Sequence, residues 1–194
     1  MATGCRQSPL AERGFYVLAV DTCQRLLDVL VARARDLPIE TLCADIVECW
    51  VENQDPAGVV VCMGDTLTHL GSQREVSELL DHVASTLAPG GLFITTFRNY
   101  VGQPLEGDQR FIAVRADDDR ILTCYLEYLE DHVRVHDIVH VRAGHEWQLT
   151  VSSYDKLRLD PDWLAMELER RGLKIIIDRA ARGMVTLAAR SQDS

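Results

Sequence analysis

The chain has 194 residues, with 30 Asp and Glu against 20 Lys and Arg and a formal net charge of −10 at pH 7. Such a surface lacks the positive field that neutralises phosphates, which argues against nucleic acid as a partner, and shares of 47% hydrophobic and 26% charged residues exclude the disordered class. The longest apolar run near the start, residues 15–20, is too short for a signal core or a membrane span, so a cytoplasmic chain without membrane contact is expected.

In chain order, Ser8-Pro9 before residues 10–13 and Gly14 reads as a helix stub, with a cap, a proline at the first helical position and a glycine stop. Residues 15–20 form a short run of β-formers ending at Asp21, and behind Thr22 the spacing of Leu26, Leu27, Leu30 and Ala34 predicts a helix. Residues 39–43 and 58–63 read as further strands, the latter with the near-continuous apolar run of a strand buried on both faces. Ser72 with Glu75 forms a capping box. Val76, Leu79, Leu80, Val83 and Leu87 then mark one helix face, and Pro89-Gly90-Gly91 stops the helix before a strand over 92–96. This order predicts an α/β fold with a doubly wound, mostly parallel sheet.

From 110 to 154 the period changes to two. Residues 111–115, 121–128, 132–142 and 147–153 read as four strands separated by turn sequences, an antiparallel meander inserted into the sheet domain. The α/β pattern resumes with a helix capped by Asp160-Pro161 and carrying Trp163, Leu164 and Leu168. Strands over 173–177 and 184–189 then form a closing hairpin, which makes the last strand antiparallel. The whole, 1–194, reads as a single domain with 110–154 as its insertion.

Ligands of an open α/β sheet bind beyond the carboxyl ends of its strands, which singles out Asp21, Asp45, Gly64-Asp65 and Arg98-Asn99-Tyr100. A carboxylate there can take both hydroxyls of a ribose. Asp21 can equally cap the next helix, and Asp45 can orient an adenine or close a turn. His69 can bond to backbone or face an acceptor, and Arg98 can serve a ligand or a surface ion pair. The six cysteines show no metal-type spacing and read as buried free thiols, with no metal implied. His132, His136 and His140 would share a helix face, but the interleaved valines demand a strand, where residues four apart are about 13 Å from each other. Asp137 falls on the valine face and requires a partner, Arg115 or Arg134, or a bulge that turns it outwards.

Residues 15–21 (FYVLAVD), Cys43-Ala44-Asp45 and residues 87–94 (LAPGGLFI) resemble successive motifs of the class I S-adenosylmethionine-dependent methyltransferases. Residues 62–70 (CMGDTLTHL) and Arg98-Asn99-Tyr100 look closer still to the small-molecule branch typified by glycine N-methyltransferase, which usually has Asn where this chain has Asp65. The resemblance implies a Rossmann-like fold, S-adenosylmethionine as cofactor and a small-molecule methyl acceptor such as an amine, and it leaves self-association into a homo-oligomer open. It places Gly4, Asp21, Thr22, Asp45, Ile46, Met63 and Gly64 on the cofactor, Asp65 and His69 in catalysis, Arg98 and Tyr100 on the acceptor, and the meander as a lid on the acceptor side. The family's first strand and glycine loop are reduced here to Gly4-Cys5-Arg6-Gln7-Ser8. The first strand is therefore expected to be largely missing and cofactor binding to be weak, with a non-catalytic binding or assembly role as the alternative.

Overall fold

The structure is a computed structural model that describes residues 7–34, 36–50, 55–102 and 104–192; Gly4 and Cys5 lie outside them. The chain divides into two compact units, Met1–Pro56 and Ala57–Ser194. Among the described residues no helix is long and apolar enough to cross a membrane.

In the first unit, helix α1 (Gln7–Ala11) ends where Gly14 takes a φ of +87° and its N–H returns to the Ala11 carbonyl. Strand β1 (Val17–Asp21) starts two residues later than the sequence suggests, and Phe15 and Tyr16 stand exposed. Helix α2 (Gln24–Ala34) buries Leu27, Leu30 and Ala34 and leads to β2 (Ile39–Cys43), which pairs with β1 in parallel from Val17–Ile39 to Asp21–Cys43. Cys23 and Cys43 are exposed, against the expectation of buried thiols, because this small unit leaves much of its sheet open; Cys62 of the second unit is buried as expected.

The second unit begins with β3 (Ala57–Cys62), a 3₁₀ turn (Thr66–His69), helix α3 (Gln73–Thr86) and β4 (Leu87–Arg98). The capping box forms: the Ser72 hydroxyl accepts from the Glu75 N–H at 3.2 Å, while the Glu75 carboxylate reaches back to the Gly71 N–H at 2.9 Å. Val76, Leu79, Leu80 and Val83 are the buried face of α3. The Pro-Gly-Gly sequence does not precede the next strand but lies inside it. The β3–β4 register jumps from Ala57–Leu87 to Val59–Leu92, so the extra residues are absorbed as an irregularity. Gly91 is required there, since a Cβ would lie 2.8 Å from the Ala88 carbonyl oxygen and 3.1 Å from that of Ala57.

Helix α4 (Pro161–Arg170) is capped by the Asp160 carboxylate and buries Leu164 and Leu168, and β9 (Leu173–Ala181) and β10 (Met184–Ser191) follow. The sheet order is β3-β4-β10-β9, with β10 antiparallel to both neighbours as expected. The hairpin turn is tighter than the sequence suggests: only Arg182 and Gly183 separate the strands, both with positive φ (51° and 75°). Phe93, Phe97, Leu187 and Leu164 are completely buried in this unit. Among the described residues the ladder from β1 runs only to β2 and that from β3 only to β4.

The meander is β5 (Phe111–Ala116), β6 (Arg120–Tyr128), β7 (His132–Ala143) and β8 (Glu146–Leu157), antiparallel in that order. The three histidines lie on a strand as expected. Leu126, Val133 and Val135 pack around Tyr100 as its core. Asp137 is held differently from either expectation: β7 has no bulge, Arg134 pairs with Asp155 and Arg115 with Asp117. Its partner is the Cys124 thiol directly across the ladder, which donates to the carboxylate at 2.9 Å.

Candidate active site

At the carboxyl end of β3 two successive residues are left-handed, Gly64 (φ +76°) and Asp65 (φ +72°). A non-glycine residue in this region costs about 1–2 kcal/mol, and the surroundings hold it there. The Gly64 N–H donates to the Thr96 hydroxyl at 3.0 Å and the Asp65 N–H to the Thr96 carbonyl at 3.1 Å, both on β4. Thr66 closes the turn by donating to the Met63 carbonyl, and Thr68 does so onto the Asp65 carbonyl. Met63, Gly64, Asp65 and His69 are thereby gathered on one loop, facing the end of β4.

The Asp65 carboxylate is engaged rather than open. One oxygen accepts from the Arg98 backbone N–H, and the other from the Lys156 ammonium at 2.7 Å, with side chains 13% and 10% exposed. Lys156 sits near the end of β8, and its nitrogen lies 6.0 Å from the ring centres of both Tyr100 and Tyr154. Tyr154, two residues earlier on the same strand face, stacks on His69 with ring centres 5.6 Å apart. Among the described residues the His69 ring has no hydrogen-bond partner. Its other side is exposed, and desolvation against its neighbours, then the Lys156 charge, hold its pKa below the ordinary 6.5. Burial, then the Asp137, Cys124 and Asp65 charges, push the Tyr154 hydroxyl up to about 12; burial raises Tyr100 as well.

The two residues expected toward an acceptor differ in placement. Arg98 brings its backbone to Asp65, while its guanidinium lies beside the Gly183 turn. Tyr100 is 4% exposed and built into the meander core rather than presented to solvent. In the first unit the turn readings of the two acids are realised: Asp21 accepts from the Cys23 N–H at 2.8 Å and Asp45 from the Val47 N–H at 2.7 Å. The second carboxylate oxygen of each has no partner among the described residues. Thr22 and Ile46 follow the two acids in these turns and use their carbonyls, the first accepting from the Cys43 thiol and the second from Cys49. Gly4 lies outside the described residues.

Residues 1–91 match the methyltransferase domain family. Glycine N-methyltransferase of Rattus norvegicus is 30% identical over 111 residues, 50% of this chain and 38% of that protein. Among solved structures, a S-adenosylmethionine-dependent methyltransferase from Clostridium acetobutylicum superposes with a TM-score of 0.80 at 17% identity, over 98% of this chain and 80% of the other. The CcbJ methyltransferase from Streptomyces caelestis gives 0.80 at 21% identity, over 95% and 78%. The chain shares the fold of these methyltransferases, and its residues 1–91 are similar to that domain family. It spans about 38% of the length of the curated relatives it matches.

Lys156 and Tyr154, which meet Asp65 and His69 at this loop, are residues that sequence reasoning misses. A signal exists: Lys156 is one of only two lysines among 20 basic residues, and it alternates with Tyr154 along a strand. What local pattern does not carry is that β8 continues to Leu157, paired with His132, far enough to bring Lys156 to Asp65.

Proposed function

We propose that this chain catalyses S-adenosylmethionine-dependent methyl transfer to a small-molecule acceptor, an amine, in the cytoplasm. The cofactor supplies a methyl group on a sulfonium. An acceptor lone pair displaces it, leaving S-adenosylhomocysteine, and the reaction needs in-line positioning and the loss of one proton from the acceptor nitrogen. The observation that carries this reading is the Gly64-Asp65 turn with His69, at the end of β3, in a domain whose relatives include an amine methyltransferase.

Each unit by itself offers groups of the kind the cofactor would use. Asp21 and Asp45 follow β1 and β2, each with one carboxylate oxygen that has no partner among the described residues and could accept from ribose hydroxyls or an adenine amino group. Met63 and Gly64 would lie along the methionine part. With Asp65 already paired, His69, its pKa held below the ordinary 6.5 by desolvation and the Lys156 charge, is a group that could take the acceptor's proton. The meander, carrying Tyr154 and Lys156 on β8, would cover the acceptor and exclude water.

Calorimetry with S-adenosylhomocysteine tests the cofactor half, and mass spectrometry of an amine panel incubated with methyl-labelled S-adenosylmethionine tests the acceptor half. Asp21→Ala should weaken binding by about 1.5–3 kcal/mol, the worth of charge-assisted hydrogen bonds. Equal affinity of wild type and variant would count against the Asp21 assignment, and absence of both binding and labelled product would remove the enzyme reading.

A further inference from the structure

Asp65 has no oxygen to spare. Arg98 backbone N–H and Lys156 ammonium take one each, in a setting where both charged side chains are nearly buried. The ammonium lies at equal distance from two tyrosine rings, 6.0 Å from each centre. A carboxylate flanked by aromatic faces is the combination that holds organic cations. Here it is filled from within, by the chain's own side chain.

The chemical consequence concerns the acceptor's protonation state. Only an amine with its lone pair free can attack a methyl group, and a site that attracted ammonium ions would hold the unreactive form. A second cation brought to Asp65 would meet the Lys156 charge at close range, where repulsion in a desolvated site is strong. We propose that Lys156 is a positioning residue that fills an ammonium seat made by Asp65, Tyr100 and Tyr154, so that the acceptor enters uncharged. The first part stands on the geometry alone; the second rests on the amine-methylation reading.

Lys156→Ala removes the three methylenes and ammonium that n-propylammonium can replace. In thermal melts of the full chain, K156A should regain several degrees with n-propylammonium chloride, saturably and beyond an equal concentration of sodium chloride. Wild type and the Asp65→Asn/Lys156→Ala double variant should show no such response. Should K156A not fold alone, the yield of folded protein on refolding in n-propylammonium against sodium chloride gives the same readout. A saturable shift in wild type that Asp65→Asn abolishes would overturn the proposal, as would equal behaviour of K156A and the double variant. None of these arms uses cofactor or turnover, so failed methyl transfer with intact rescue refutes the enzyme reading and leaves the seat standing. For an amine that is turned over, the wild-type rate at subsaturating amine should rise about tenfold per pH unit below the amine's own pKa; a flat rate there overturns uncharged entry.

Discussion

His69 shows how a single side chain inherits its chemistry from a distant part of the chain. It is exposed on one side and stacked on Tyr154 on the other, and desolvation together with the Lys156 charge lowers its pKa. As pH falls through about 6.5 the unfolded chain takes up this proton before the native one does. Native stability is therefore lost progressively between 6.5 and the lower native value, and is unaffected by this group above 6.5. In an NMR titration the His69 ring should show a midpoint below the ordinary value, and Lys156→Gln should move that midpoint upward. Identical midpoints in the two proteins would show that Lys156 does not act on His69.

At the scale of elements, the β9–β10 hairpin turns on Arg182-Gly183 with positive φ at both positions. Two-residue turns of this kind favour Asn-Gly, and an L-residue other than Asn, Asp or Gly is strained at the first position. Arg182→Asn should therefore raise stability by about 0.5–1 kcal/mol in urea denaturation, part of the left-handed penalty; a loss of stability would mean that the arginine side chain itself holds the turn. Elements like this one are legible in sequence where a local signal marks both ends. The alternation and turn residues between 110 and 154 locate all four meander strands, and Ser72 with Glu75 locates the start of α3. Where a non-local pairing sets the boundary, the pattern misleads. Pro89-Gly90-Gly91 reads as a stop yet is absorbed into β4 by a register jump, and β8 runs beyond its alternating stretch because β7 continues to pair with it. The candidate site follows the same rule. The loop 63–69 is contiguous and can be read directly, whereas the Asp65–Lys156 contact joins residues 91 apart and no spacing encodes it. Asp137 is a smaller case: its partner is a thiol across the ladder rather than an arginine.

Across the whole molecule the two units differ in how much they bury. The second is built around fully enclosed side chains such as Phe93, Phe97 and Leu187, while the first leaves Leu18, Val31 and Leu42 exposed around a two-stranded sheet, an assembly that is marginal by itself. The same division sorts the thiols. Cys23 and Cys43 of the first unit are exposed; in the second, Cys62 is buried with its pKa pushed up to about 12 by desolvation. Cys124 reaches about 12 as well, through desolvation and the Asp137 carboxylate that it faces. Only the thiolate attacks an electrophile, and at pH 8 a thiol of that pKa is ionised to about one part in ten thousand. A maleimide dye at limiting concentration should therefore react at Cys23 and Cys43 at least about a hundredfold faster than at Cys62 and Cys124, as peptide mapping would show, and comparable labelling of all four would contradict the burial described. The chain thus comes with its own selective handles: a fluorophore on those thiols watches the first unit alone, and the part that holds Asp65, His69 and Lys156 stays chemically silent.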